Sequence, residues 1–326
     1  MGGDEVERMA SARERMPAVS VIVPSYKKPE LLRECLASIR MQTFEDWECI
    51  VVDDGSPLGK EIQAVVSEMA DERFRLVVHE HTRGPAAARN TGVRHARGEY
   101  ILLVDEDDRI VPDCLEVLLK QIRATGADIV CPHAKKFGGA QGFLRSEVPT
   151  LEEVLSGRLV IPWGFLLKRE LWLKLGGQEE AEDLIGREDH EWWVRVRSAN
   201  IRVVIVNRVL IEWRVWEDGV LGKLSLNFQA ARQEVKRRQY VVEKHRDLYE
   251  RHPWAKRRYL RVGYLREGYH RWQEGRRTAA LVRYWQAYFM SRDSNDFRLA
   301  TKMTLMGIFG ESAVLRFIAF RKHFFG

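Results

Sequence analysis

The sequence predicts an α/β domain, a mostly parallel sheet flanked by helices, followed by a helical extension. Three observations predict it: short β-branched runs recur through the first two thirds of the chain, stretches of helical spacing separate the early ones, and the charge changes sign along the chain. Residues 1–223 carry 31 Lys and Arg against 38 Asp and Glu, a net of −7. Residues 224–326 carry 22 against 9, a net of +13, together with 18 of the 32 aromatic side chains. A basic, aromatic-rich part therefore follows an acidic one.

The runs are SVIV (20–23), CIVV (49–52), RLVV (75–78), YILLV (100–104), DIVC (128–131) and VVIV (203–206). Pro29 opens a helix through LLRECLASIR, residues 61–70 form a second, AAARNTGVRHA a third, and Pro112 opens a fourth through CLEVLLKQIR. Strands apolar along their whole length are buried on both faces, and alternation with helices makes them parallel with right-handed crossovers. After residue 208 the pattern changes, and EWRVWEDG is followed by helical spacing over 226–250, 255–290 and a last segment 300–325 with Phe309, Phe317, Phe320, Phe324 and Phe325. The expected division is a flexible N-terminal segment 1–17, a domain at 18–220 and the extension 221–326.

A chain of 326 residues, 45% hydrophobic and 31% charged, can bury a sizeable core, which excludes disordered and collagen-like classes. Cys35, Cys49, Cys114 and Cys131 form no C-x-x-C pair, and each lies in or beside an apolar run. Buried reduced thiols fit that placement better than disulfides or zinc. The first residues hold no apolar stretch, so neither a secretory signal nor an anchor is expected and a cytoplasmic location is. Val6 stands where myristoylation wants Ser or Thr. Lys302, Glu311 and Arg316 make the Phe-rich end a poor membrane span but leave it open as an interfacial helix.

Ligands of such sheets bind outside the carboxyl ends of the strands, so the loops PSYKKPE (24–30), DDGSP (53–57), HEHTRGP (79–85) and DEDDR (105–109) are where chemistry belongs. In extended backbone Asp105 and Asp107 point the same way and Glu106 elsewhere. Two such carboxylates plus phosphate oxygens suit Mg²⁺ or Mn²⁺. The plainer alternative is a solvated acidic loop ahead of a helix. It loses weight because the turn follows a buried strand and a second acidic turn, Asp53-Asp54, follows another. Asp53 and Asp54 can accept hydrogen bonds from a ribose or a base, while Ser56 and Pro57 read equally as the cap and first residue of a helix. Neither G-x-G-x-x-G after the first strand nor a P-loop is present, so phosphate falls to metal and arginine. Arg89 is the candidate, a surface helix arginine the equal alternative. In GREDHEWW, Glu188, Asp189 and Glu191 either complement a helix start or supply a general base.

Together, PSY (24–26), VVDDGS (51–56), GPAAARNTG (84–92), VDEDD (104–108) and REDHEWWVRV (187–196) resemble the family 2 glycosyltransferases of the GT-A fold, over about residues 18–218. The resemblance implies a metal-dependent enzyme with a nucleotide-diphospho-sugar donor, a UDP-sugar being expected. It also implies Mn²⁺ or Mg²⁺ on a D-x-D motif, and inverting transfer to a hydroxyl of a glycan or lipid-linked saccharide. By the same resemblance Pro24 and Tyr26 line the nucleoside pocket, with Asp53, Asp54, Arg89 and Glu106 around the nucleotide. Asp105 and Asp107 hold the metal, and Asp189 is the base with Glu188 beside it. Trp163, in IPWGFLLKRELWLKLGG, either stacks on sugar or belongs to the core. Many members carry Tyr-Arg-x-His after the last domain strand. Here Trp213-Arg214-Val215-Trp216 lacks the His, which implies either a weaker hold on the metal or Arg214 answering the diphosphate charge itself. Glu106, where members often have Ala or Ser, adds a charge beside the metal. The basic extension is read as docking to an anionic membrane surface, on the inner face of the cell membrane, or to a second copy; no nucleic-acid motif is present. The rival reading is a catalytically silent GT-A-fold protein that docks to a membrane or partner, and intact Asp105, Asp107 and Asp189 argue against it.

Overall fold

The computed structural model describes residues 16–159, 161, 163–216, 233–292 and 294–309. The chain forms two compact units: Met1–Val148 with Val160–Glu182 and Arg195–Gly219, and Pro149–Leu159 with Asp183–Val194 and Val220–Gly326.

Among the described residues the first unit is built on nine strands: β1 (Val19–Ser25), β2 (Trp47–Asp53), β3 (Phe74–Val78), β4 (Tyr100–Leu103), β5 (Arg109–Ile110), β6 (Ile129–Gly138), β7 (Gly142–Leu144), β8 (Leu166–Lys168) and β9 (Val203–Val215). Their order is β3-β2-β1-β4-β8-β6-β9-β5, with β7 on β6. All six apolar runs fall on strands, with Val104 just past the end of β4 and Asp128 just before the start of β6. Parallel pairings carry the long registers, such as Val19↔Trp47 through Ser25↔Asp53, so β1 and β2 end level. The antiparallel pairings of β5, β7 and β8 span two or three residues each, and β8 is antiparallel to both β4 and β6.

Four helices follow the early strands: α1 (Pro29–Arg40), α2 (Gly59–Glu68), α3 (Pro85–His95) and α4 (Cys114–Thr125). α1 buries Leu32, Cys35, Leu36 and Ile39 at helical spacing, in one core with Val19, Val21 and Val23 of β1. Each such side chain contributes about 1.5–3 kcal/mol over exposure. α3 is buried along one continuous run, Ala86 to Val93. Gly92 permits this, since a Cβ there would lie 2.3 Å from a methyl of Ile22. α2 starts later than its expected cap at Ser56. The Ser56 hydroxyl instead accepts from the N–H of Leu58 (3.0 Å) and Lys27 (3.2 Å). All four cysteines are buried and free, and burial pushes their thiols up.

The short α5 (Leu151–Leu155) belongs to the second unit and α6 (Arg169–Lys174) to the first; α7 (Glu188–Ser198) contributes its first seven residues to the second and its last four to the first. The second unit continues with α8 (Glu234–Lys244), α9 (Arg246–Arg251), α10 (Pro253–Gln273), α11 (Arg277–Ser291) and α12 (Ser294–Phe309). Trp272, Ala280, Tyr284, Ala300, Met303 and Met306 form a core here. The two long helices expected are each cut, the first at His245 and the second at Gly275, whose φ of 76° breaks the helix. Residues 1–15 of the N-terminal segment, the Phe309 side chain, and Phe317, Phe320, Phe324 and Phe325 lie outside the described residues. Among the described residues no helix is long and apolar enough to cross a membrane.

Candidate functional site

β1 stands between β2 and β4. The chain winds from β1 outward through β2 to β3, then crosses to β4 on the other side. The carboxyl ends of β1 and β4 therefore flank a topological switch point, where open α/β sheets take ligands. β1 ends there in Ser25-Tyr26, and β4 runs into Asp105–Asp108.

One oxygen from each of Asp105, Asp107 and Asp108 lies within 4.8 Å of the other two. Asp107 and Asp108 are each only 3% exposed, so this is not a solvated loop. Arg214 is engaged by the turn and by Glu34. The Arg214 backbone N–H donates to Asp108 Oδ1 (2.8 Å), while its side-chain Nε donates to the Asp107 carbonyl (3.0 Å) and its Nη2 to Glu34 (2.6 Å). Glu106 is not one of the three; it accepts from Ser25 Oγ (2.7 Å) and Tyr26 N–H (3.0 Å), and so ties the β4 loop to the β1 loop. Burial pushes its carboxyl up to about 7 against the pull of Ser25, Lys28 and Tyr26, with the Asp107 charge adding to the rise. Lys28 lies 3.5 Å from Asp107 and 4.0 Å from Glu106, and its ammonium sits 5.7 Å from the Trp216 ring. Sequence reasoning did not single out Lys28, although its place in the loop after β1 was a usable signal. Converging hard oxygens are the donor set that Mg²⁺ and Mn²⁺ take, so Asp105, Asp107 and Asp108 fit the metal the resemblance implies.

Pro24 and Tyr26 are half-buried at the end of β1, level with the end of β2. Asp53 accepts from Ser56 N–H (2.9 Å), and burial, with the Asp54 charge adding, raises its carboxyl pKa. Asp54 accepts from the N–H of Arg83 (2.9 Å) and Gly84 (2.8 Å) and from Thr82 Oγ1 (2.9 Å), and pairs with His79 Nδ1 (2.7 Å). These bonds hold the segment 79–84 in place. Gly55, at φ 65°, lies so near that segment that a Cβ would come within 2.5 Å of the His81 backbone.

Arg89 is 5% exposed, not a surface residue. Its guanidinium donates to Asp105 Oδ1 (2.8 Å) and Gln178 Oε1 (3.2 Å) and lies 4.3 Å from the Trp163 ring, which itself stacks on Phe165 at 5.1 Å. Trp163 is thus a half-buried platform for an arginine. Asn90 went unnoticed in the sequence and organises this side of the site. It accepts from Gln178 N–H (2.9 Å) and Trp172 Nε1 (3.1 Å), and donates to the Gln178 carbonyl (2.7 Å) and Glu180 (2.9 Å).

The second unit holds Glu188 and Asp189, the first two residues of α7, where the helix dipole favours negative charge. Glu188 is buried and accepts from Gly186 N–H. Glu191, fully buried, meets His245 Nε2 (2.9 Å) and Lys244 Nζ (3.1 Å).

A family model described as "Glycosyl transferase family 2" matches residues 20–192. Among curated relatives, the putative glycosyltransferase EpsH of Bacillus subtilis is 38% identical over 121 residues, 37% of this chain and 35% of that protein. Glycosyltransferase GlyA of Streptococcus pneumoniae is 31% identical over 219 residues, 60% of this chain and 30% of that protein. The UDP-Glc:alpha-D-GlcNAc-diphosphoundecaprenol beta-1,3-glucosyltransferase WfgD of Escherichia coli is 34% identical over 104 residues, 32% of this chain and 40% of that protein. The chain thus matches 30–40% of the length of these relatives. Among solved structures, S. aureus TarS 1–349 in complex with UDP-GlcNAc superposes with a TM-score of 0.56 at 18% identity, covering 89% of this chain and 92% of that one. The mannosyltransferase PcManGT from Pyrobaculum calidifontis, in complex with GDP-Man and Mn²⁺, gives 0.53 at 20% identity, covering 95% and 88%. At these identities the likeness is one of fold.

Proposed function

The chain belongs to glycosyl transferase family 2, and from that premise we propose that it is an inverting glycosyltransferase, with residues 18–220 as its catalytic part. It would move a sugar from a UDP-sugar to a hydroxyl of a glycan or lipid-linked saccharide. The observation that carries this reading is the convergence of Asp105, Asp107 and Asp108 at the switch point, with Arg89 on Asp105. A nucleoside diphosphate brings a base, a ribose and two anionic phosphates. Pro24 and Tyr26 offer surface for the first, Asp53 an acceptor for a base N–H or a ribose hydroxyl, and Arg89 a guanidinium for phosphate. Asp105, Asp107 and Asp108 would hold Mg²⁺ or Mn²⁺, which when bound offsets charge on the departing diphosphate. Complexes of fold neighbours with UDP-GlcNAc and with GDP-Man and Mn²⁺ support a nucleotide-sugar donor, and the name of WfgD supports a lipid-linked acceptor.

In the reaction the acceptor oxygen bonds to the anomeric carbon while the bond from that carbon to the diphosphate oxygen breaks on the opposite face. The hydroxyl proton passes to Asp189, the nucleoside diphosphate leaves with the electron pair, and a single displacement inverts the configuration. The test is turnover of a panel of nucleotide sugars with and without metal. UDP-sugar turnover should stop in EDTA, return with Mn²⁺ or Mg²⁺, and be absent in Asp107→Ala. Turnover that survives both EDTA and the substitution overturns the metal assignment, and UDP binding with no turnover of any sugar favours the silent binding protein.

A second proposal follows from the extension: it lies on an anionic membrane surface without crossing it. Phe289 and Phe297 are 69% and 46% exposed and cluster with Trp285 at ring distances of 6.1 and 6.0 Å. Residues 224–326 carry a net +13, and each Lys or Arg near an anionic surface is worth about 1 kcal/mol. Co-sedimentation with vesicles should need anionic lipid and weaken with salt; indifference to lipid charge would leave this face a packing surface.

A further inference from the structure

Three residues close to Asp189 in sequence are fastened to the chain beyond residue 233. Two positions before Asp189, Arg187 forms a two-point pair with Glu234, the first residue of α8, one arm being Nε to Oε2 at 3.3 Å. One position after it, the His190 ring lies flat on Tyr259 of α10, with centroids 4.4 Å apart and planes 14° apart. Two positions after it, Glu191 meets His245 at 2.9 Å and Lys244 at 3.1 Å. His190 and Glu191 are consecutive helical residues, so their side chains leave the axis about 100° apart. Restraints in two such directions, together with the Arg187 pair ahead of the helix, fix the first turn of α7 against both sliding and rotation.

The partners are themselves held. Glu234 also takes Arg238 Nε at 2.9 Å and Arg266 at 3.5 Å, and Arg238, 2% exposed, donates to the Tyr259 carbonyl (2.9 Å) with its guanidinium 4.4 Å from that ring. Gly263 leaves room for it, since a Cβ there would lie 2.7 Å from Arg238 Cδ. Desolvation opposes the Glu234 charge, but three surrounding guanidiniums outweigh it and hold the carboxyl down at about 2. Burying ions in this way is a poor route to stability, because apolar residues of similar volume often serve as well or better. What a satisfied ionic network supplies is one defined geometry.

We infer that the helical extension sets the position of the base: Glu234 and His245 are positioning residues that act on transfer through Asp189. This rests on the reading of Asp189 as the base, and the experiment separates the two. Glu234→Gln and His245→Gln are made in the full chain, each alone and together with Asp189→Asn. Transfer kcat, donor KM, UDP affinity and melting temperature are measured for all. A base displaced by a fraction of an ångström to about 1 Å loses on the order of 10- to 100-fold in rate. Each single variant should therefore lose at least about tenfold in kcat, with donor KM and UDP affinity within about twofold of wild type. In the Asp189→Asn background the same changes should cost less than about twofold, because a base that is absent cannot be misplaced. Equal fractional losses in both backgrounds, or an unchanged kcat in folded variants, overturn the inference. If Glu234→Gln does not fold, His245→Gln carries the test, since Glu191 keeps Lys244. If Asp189→Asn leaves transfer intact, the base reading falls and this inference falls with it. If Asp189→Asn abolishes transfer and the clamp variants do not affect it, only the inference falls.

Discussion

A cluster of three carboxylates in one unit and a single buried carboxylate in the other are built on opposite plans. In the first unit Asp105, Asp107 and Asp108 crowd against one another, like charges within 4.8 Å. In the second, Glu234 is crowded by Arg187, Arg238 and Arg266. The guanidiniums depress Glu234 to about 2, while burial and the neighbouring Arg187 lower Arg238 to about 10, still charged at neutral pH. Three carboxylates share the cations Arg89, on Asp105, and Lys28, on Asp107, whereas one carboxylate is ringed by three guanidiniums. The first arrangement favours a further cation and the second does not, which distinguishes a candidate binding site from a scaffold.

The sharpest way to break that comparison is Asp107→Ala. If the trio is a cation site, turnover should fall to background while the melting temperature holds or rises, because relief of repulsion offsets the loss of the ion pair with Lys28. A large drop in melting temperature with residual turnover would make the trio scaffold instead. Next in size is Asp189→Asn, which keeps the shape but cannot take a proton. Transfer should fall about 10²-fold or more with donor binding retained. If Glu188→Gln proves more damaging in the same transfer assay, the other member of the pair is the base.

Glu234→Gln probes the scaffold side by stability. The folded pKa of about 2 lies below the ordinary 4.5, so the ionised form favours the fold. The contribution is full above about pH 5 and is lost as pH falls toward 2. It is on the order of 3 kcal/mol. Denaturant curves of wild type and variant should differ most at pH 6–7 and converge near pH 2, and a gap independent of pH would remove the electrostatic account. The smallest effect expected is that of Asp54→Asn, which weakens the hydrogen bonds that hold segment 79–84. It should cost about 1–2 kcal/mol and leave metal dependence unchanged; loss of metal response would move Asp54 into the site.

The parallel part of the sheet was legible because its strands are apolar throughout and long enough to show it. β5, β7 and β8 were not, since two or three residues carry no period. β8 sits inside LLKRELW, where helical and extended readings look alike. The break at Gly275 did have a signal, a glycine just past a helical run, that the spacing of its neighbours masked. Asp105 and Asp107 could be picked out by their place after a buried strand, but not for the reason of an extended chain: residues 106–107 form a turn in which the Asp108 N–H donates to the Asp105 carbonyl (3.0 Å), and the turn brings Asp108 in with them. Asp54 and Arg214 could not be read so: what fixes their roles are partners such as Gly84 and Glu34, 30 and 180 residues away. The burial of Arg89 was equally hidden, for it depends on α3 being enclosed by the sheet and on Gln178 and Trp163.

The four buried thiols turn this chain into its own reporter. Cys35, Cys49, Cys114 and Cys131 all belong to the first unit, and burial keeps each in the unreactive protonated form. Folded protein should ignore a maleimide or a colorimetric disulfide reagent, and fully opened protein should consume four equivalents. Because no cysteine lies in the second unit, reagent uptake counts openings of the sheet alone. Melting of the extension, followed in parallel by tryptophan emission, would pass without a thiol signal, so the natural chain carries a readout that distinguishes which half lets go first.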